Sequence, residues 1–184
     1  MRIIAGEYKG RQLQPVPGKS TRPTTDKVKE AVFQILGPFF DKGICLDLFA
    51  GSGSLGLEAL SRGMTAGVFV DKHPKAIHTI HENVKLLKLE EQTEVFRAEA
   101  FRALQAASKR HLQFNLIFLD PPYGKVSYEK LLEQISDLQL LKKNGIIYCE
   151  HGTSETLPEE KGSFLMTKQA EYGGTTGITI YKGT

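Results

Sequence analysis

The segment Asp120-Pro121-Pro122-Tyr123 sets a carboxylate, two rigid prolines and an aromatic ring in consecutive positions. Asp120 can accept one N–H of an amine and the carbonyl of Pro121 the other, which aims the amine nitrogen at an electrophile. Such help suits the exocyclic amine of a nucleobase, a poor nucleophile because its lone pair is delocalised into the ring. The prolines hold the backbone extended, and Tyr123 offers a face on which a base can stack. Taken alone, Asp-Pro-Pro also favours a plain turn, and Tyr123 could pack in a core.

A second constellation precedes it. Asp47 stands four residues before Gly51, and Gly51, Gly53 and Gly56 follow the GxGxxG spacing. Glycines let a backbone approach a ligand closely, and the helix start that follows presents free N–H groups to an anionic moiety. Asp71, twenty residues beyond Gly51, is placed to accept the two hydroxyls of an adenosine ribose, or simply to cap the next helix. Nicotinamide enzymes share this arrangement. Asp47 discriminates, because a carboxylate there repels a pyrophosphate and favours the cationic amino group of a methionine moiety.

Both constellations need strands to aim them. From Ile44 onward, short β-rich runs alternate with amphipathic stretches, the pattern of a parallel sheet covered by helices. The runs are 44–49, 66–71, 93–97, 114–120 and 145–150, making five β/α units. Ile77, Ile80, Val84 and Leu87 recur at helical spacing after Pro74, and so do Tyr128, Leu131, Leu132 and Ile135. Stretches around 164–167 and 177–182 flank Gly173 and Gly174 and are expected to close the sheet as an antiparallel pair. The turn at Tyr172 either borders the substrate cleft or is a plain hairpin. Upstream, Thr24, Thr25 and Asp26 offer caps for a helix carrying Val28, Ala31, Val32, Ile35 and Leu36. Residues 2–5 and 11–16 are read as a short basic hairpin ahead of it.

The 184 residues are 40% hydrophobic, enough for the core of one domain, with 1–40 read as a basic arm and helix and 41–184 as a catalytic core. The net charge is only +3, but seven of the first thirty residues are Lys or Arg against three acids. The basic excess therefore lies in the arm. No apolar run is long enough to span a bilayer and no secretion signal is read, so a cytoplasmic protein is expected. Cys45 and Cys149 lie in strand-like runs without metal-ligand spacing and are expected as buried free thiols. His78 and His81, three apart, are read as exposed rather than as a metal pair. No metal and no disulfide are expected.

The run Asp47-Leu-Phe-Ala-Gly51-Ser-Gly53-Ser-Leu-Gly56 resembles the motif of the class I, S-adenosylmethionine-dependent methyltransferases. That resemblance implies a Rossmann-like α/β fold, a seven-stranded, mostly parallel sheet with helices on both faces and an antiparallel last strand. It implies that Asp47, Phe49, Gly51 and Gly53 meet the methionine end of the cofactor and Asp71 the ribose. The matching position for the adenine amine is Glu99, beside Ala100; many members carry Asp there, and a solvated charge is the bland alternative. In that context Asp120, Pro121, Pro122 and Tyr123 resemble the signature of amino-methyltransferases.

From residue 1 the whole chain resembles the bacterial enzymes that methylate the 2-amino group of a guanine in 16S ribosomal RNA. The resemblance rests on 1–11, 20–33 (STRPTTDKVKEAVF), 47–63, 120–123 and 172–182. It implies that the enzyme acts on 16S rRNA within a small ribosomal subunit or an assembly intermediate. It also gives the arm a role in holding RNA, with Arg2, Lys9, Arg11 and Arg22 as phosphate contacts and Thr24 near cofactor or base. No membrane and no obligate protein partner are inferred. The alternatives are an adenine amino-methyltransferase on RNA or DNA, and a catalytically silent RNA-binding assembly factor.

Overall fold

The computed structural model describes residues 1–18 and 25–184. Arg22 and Thr24 lie outside the described residues.

Five parallel strands run in chain order: β1 (Ile44–Asp47), β2 (Ala66–Asp71), β3 (Thr93–Arg97), β4 (Phe114–Leu119) and β5 (Leu141–Gly152). Each of the first four joins the next through a helix, and the helices are α2 (Ser54–Ser61), α3 (Pro74–Leu86), α4 (Ala100–Lys109) and α5 (Tyr128–Asp137). Helix α1 (Asp26–Leu36) precedes them, and Thr25 caps it by accepting from the Val28 N–H. Three antiparallel strands, β6 (Glu160–Lys161), β7 (Phe164–Tyr172) and β8 (Thr176–Gly183), complete the order β3-β2-β1-β4-β5-β8-β7-β6. Among the described residues the sheet thus has eight strands, against the seven expected. The extra one is β6, a two-residue edge strand whose Glu160 and Lys161 pair with Leu165 and Phe164.

Alternation along the strands makes two cores. Cys45, Phe69, Leu116 and Phe118 face a cluster built with α1, α2 and α3, while Leu46, Val70, Ile117 and Leu119 face one built with α4 and α5. Helices therefore cover both faces. Gly56 faces Phe69 so closely that an added Cβ would lie 2.4 Å from the ring, which explains why the third glycine of the motif must lack a side chain. Both cysteines are buried free thiols, and His78 and His81 are exposed on α3. No helix among the described residues is long and apolar enough to cross a membrane.

The N-terminal arm forms the expected hairpin in a short form, with the Ile3 N–H donating to the Arg11 carbonyl at 2.9 Å and the Leu13 N–H to the Met1 carbonyl at 3.0 Å. Its two limbs form a single bridge, Arg2 opposite Gln12, with Ile3 and Leu13 buried in the first core. Side chains of the helices hold the rest. Glu58 of α2, fully buried, accepts from the Ile4 N–H at 2.7 Å and forms ion pairs with Lys29 at 3.5 Å and Arg62 at 3.4 Å. Lys29 donates to the Arg2 carbonyl at 2.6 Å and to Ser54 at 3.0 Å. Burial pushes the Lys29 amine below its ordinary pKa, and the nearby Glu58 carboxylate opposes the shift. Asn83 of α3 accepts from the Gln14 N–H at 2.7 Å and donates to the Ser52 carbonyl at 2.9 Å. The arm is therefore tied directly to the glycine loop.

Candidate active site

Strands β1, β2, β3, β4 and β5 are parallel, so their carboxyl ends share one edge of the sheet. The order reverses at β1, which lies between β2 and β4. Ligands enter open α/β sheets at such a switch point. Asp47, Asp71, Glu99 and Asp120 all lie at this edge or just beyond it, each on a different strand end.

The glycine loop leaves β1 and turns into α2. Gly51 has φ +56° and Gly53, at the N-cap of α2, has φ +83°, conformations that a residue with a Cβ adopts only with strain. A Cβ at Gly51 would meet no atom within 4 Å. The loop thus opens onto space that a ligand can enter. Asp71 stabilises this shape: its carboxylate accepts from the Gly51 N–H at 2.9 Å and from the His73 N–H at 2.9 Å. A carboxylate offers about four acceptor sites, so both bonds are compatible with further donors such as ribose hydroxyls. Asp47 is buried and accepts from the Gly56 N–H at 3.1 Å, which pins the first turn of α2 to β1. Burial raises its carboxyl to a pKa of about 7, against the Gly56 hydrogen bond and with a smaller push from Asp71. A cation placed there would reverse that shift.

Glu99 is exposed and caps α4, accepting from the N–H groups of Phe101 at 3.2 Å and Arg102 at 3.3 Å. Both carboxylate oxygens therefore have a local structural task. Ala100, at the start of the helix, is buried, and Phe49 is partly buried against the second core.

Beyond β4, Pro121 is buried, Pro122 is exposed and Tyr123 is 52% exposed, so the ring does not pack in a core. Its hydroxyl is within hydrogen-bonding reach of Thr176, which places the turn between β7 and β8 beside it. The Asp120 carboxyl is held well above the ordinary carboxylate range, first by burial and then by the charges of Glu150 and Asp47.

Two residues at this edge are not among the site residues read from the sequence. Glu150, in β5, receives a hydrogen bond from the Tyr148 hydroxyl at 3.0 Å. Tyr128, the first residue of α5, reaches back with its hydroxyl to the Leu119 carbonyl at 3.1 Å and to the Glu150 carbonyl, joining the ends of β4 and β5. The signal for Glu150 was present, since β1, β2, β4 and β5 each run from apolar residues into an acid: Asp47, Asp71, Asp120 and Glu150. Tyr128 reads in sequence as one more apolar position of a helix.

The proposed RNA cations differ among themselves. Arg2 pairs with Asp26 at 3.3 Å, and Arg11 donates to the Leu86 carbonyl at the end of α3 at 2.8 Å. Lys9 is exposed. Among the described residues no cluster of three or more His, Cys, Asp or Glu is arranged to hold a metal ion.

Comparison with known proteins matches this architecture. The family described as "Conserved hypothetical protein 95" matches residues 1–182. Bacillus subtilis YlbH, provisionally named an rRNA methyltransferase, is 52% identical over 99% of this chain and 98% of its own length. The Haemophilus influenzae protein named Ribosomal RNA small subunit methyltransferase D is 35% identical over 99% of this chain and 92% of its own. Among solved structures, a conserved hypothetical protein of Streptococcus pyogenes, 37% identical, superposes with a TM-score of 0.80 over 85% of this chain and 96% of its own. The fold is that of the class I methyltransferases, and the chain belongs to the Conserved hypothetical protein 95 family together with Ribosomal RNA small subunit methyltransferase D of Haemophilus influenzae.

Proposed function

We propose that this protein transfers the methyl group of S-adenosylmethionine to the 2-amino group of a guanine in 16S rRNA during assembly of the small ribosomal subunit. The observation that carries the reading is the juxtaposition of two groups at one sheet edge. Asp120-Pro121-Pro122-Tyr123 leaves β4 beside the β1 end that carries Asp47 and the glycine loop. Relatives named as small-subunit rRNA methyltransferases support the choice of RNA.

The residues fit the cofactor: the open Gly51 loop, Gly53 and the α2 start, Phe49, Asp47, Asp71, and Glu99 with Ala100. When bound, S-adenosylmethionine supplies a sulfonium-bound methyl whose C–S bond breaks as a nitrogen lone pair attacks, leaving a neutral thioether. The protein's own part is to position. Asp120 accepts one N–H of the target amine, the Pro121 carbonyl accepts the second, and Tyr123 carries the ring of the base. Both N–H bonds keep the amine from rotating, and after alkylation the nitrogen gives up a proton to the Asp120 carboxylate or to water. Residues 1–184 act in this reading as one domain, with Arg2, Lys9, Arg11, Arg22 and Thr24 of the arm on the RNA side, in the cytoplasm and without an obligate protein partner.

Replacing Asp120 with Ala separates binding from transfer. Methylation of small-subunit particles should fall by at least about 100-fold, the scale of losing an oriented electrostatic contact. Affinity for S-adenosylmethionine should stay within about threefold, because the deleted contact lies outside the cofactor's own charge-assisted hydrogen bonds. Undiminished methylation by this variant contradicts the proposal.

A further inference from the structure

The register of β4 and β5 sets Phe118 opposite Tyr148 and Leu119 opposite Cys149. The next step along both strands brings Asp120 and Glu150 to the edge as neighbours. Their proximity is also felt electrostatically, since Glu150 is the leading charge acting on the Asp120 carboxyl. Glu150 is aimed by the hydroxyl of Tyr148, a fully buried ring packed against Phe118 with centroids 5.9 Å apart. Its backbone is fixed by Tyr128. Two acids so placed disfavour ionisation of both, and without a ligand Asp120 favours its protonated form; a ligand that brings two adjacent donors allows both to be ionised.

Nucleobase edges differ in this respect. Guanine carries N1–H directly beside its 2-amino group, giving two neighbouring donors. Adenine sets an acceptor nitrogen beside its 6-amino group, and cytosine sets one beside its 4-amino group. A second carboxylate next to Asp120 welcomes the first pattern and repels the other two. We propose that Glu150 accepts the N1–H of the target guanine while Asp120 accepts an N–H of its 2-amino group, which makes Glu150 the residue that selects guanine over adenine and cytosine. A carboxylate offers about four acceptor sites, so accepting from the Tyr148 hydroxyl is compatible with this role.

This inference rests on the guanine reading above, and one substrate analogue separates the two. 2-Aminopurine keeps the 2-amino group but has an acceptor at N1. The probe is 16S rRNA carrying either guanine or 2-aminopurine at the position that methyl labelling identifies, assembled into small-subunit particles. Wild-type protein should prefer guanine by at least about 100-fold in kcat/KM, because the analogue leaves a site acceptor unpaired. Glu150→Gln can turn an amide N–H toward the analogue's N1, so its preference should fall to within about fivefold. RNA affinity measured by titration should lose discrimination in the same direction. Tyr148→Phe, which only frees the carboxylate to rotate, should give an intermediate ratio. Labelled guanine with an unchanged guanine to 2-aminopurine ratio in Glu150→Gln and Tyr148→Phe overturns the role of Glu150 alone. No labelled guanine from the wild-type protein overturns the guanine reading and this inference with it.

Discussion

The carboxylate of Asp71 holds the backbone N–H of Gly51 at 2.9 Å, so one acid at the end of β2 shapes the loop at the end of β1. The same group is the proposed ribose contact, which couples loop geometry to cofactor recognition. Asp71→Ala removes both, and S-adenosylmethionine should bind about 10- to 100-fold more weakly, as expected for hydrogen bonds to a charged group. Asp71→Asn keeps one oxygen for one of the two backbone donors and should fall between. Titration calorimetry with the cofactor measures both values, and equal affinity in all three proteins rejects the coupling.

Asp47 gives a pH dependence whose sign is fixed by its burial. Its carboxyl titrates at about 7 in the folded protein against 3.8 for an ordinary aspartate. Between those values the folded state keeps a proton that the unfolded state has lost. The contribution to stability is therefore complete below 3.8 and disappears as the pH rises through about 7. Asp47→Asn should flatten the decline in melting temperature of the ligand-free protein between about pH 5 and about pH 8. In the wild type a cationic ligand favours the ionised form, so cofactor affinity should rise over the same interval with release of a proton. Calorimetry in buffers of different ionisation enthalpy reads that proton.

Glu58 holds the arm. It is buried with Lys29 and Arg62 and takes the N–H of Ile4. Glu58→Ala strands two buried cations and should cost about 3–5 kcal/mol. Melting temperature and protease cleavage within the first eighteen residues report the loss, and cleavage should accelerate before global unfolding. An arm as protected as in the wild type would show that the apolar anchors Ile3 and Leu13 suffice.

The arm cations should separate by experiment. Lys9 is exposed, so Lys9→Ala should weaken RNA binding, lower the salt slope by about one and leave the melting temperature unchanged. Arg11 also satisfies the end of α3 through the Leu86 carbonyl, so Arg11→Ala should lower both RNA affinity and melting temperature. A salt slope unmoved by either change argues against an RNA-binding arm.

Much of this site was legible because local chemistry specifies it. The glycine spacing, the acid after β2, the Pro74 helix start and the alternating strands are short-range patterns, and the structure carries them at the expected positions. What depends on long-range pairing was not. Glu58, Lys29 and Arg62 carry no local signal of burial, and only tertiary packing brings them together. Glu99, read as an adenine contact, also caps its own helix, a local task that the sequence reading did not assign to it. Strand β5 begins at Leu141, ahead of the expected 145, because it absorbs Asn144 at φ +62° and the β4–β5 register shifts there. The approach of Asp120 to Glu150 follows from the pairing of Leu119 with Cys149 one residue before, which no local pattern encodes.

The most direct measurement is to incubate the protein with methyl-labelled S-adenosylmethionine and unmodified small ribosomal particles, naked 16S rRNA or DNA, then digest and identify the labelled nucleoside. Labelled 2-methylguanosine from the particles or the RNA, lost in Asp120→Ala, is the expected result. Labelled methyladenine, methylcytosine, or no label despite measurable cofactor binding would contradict it.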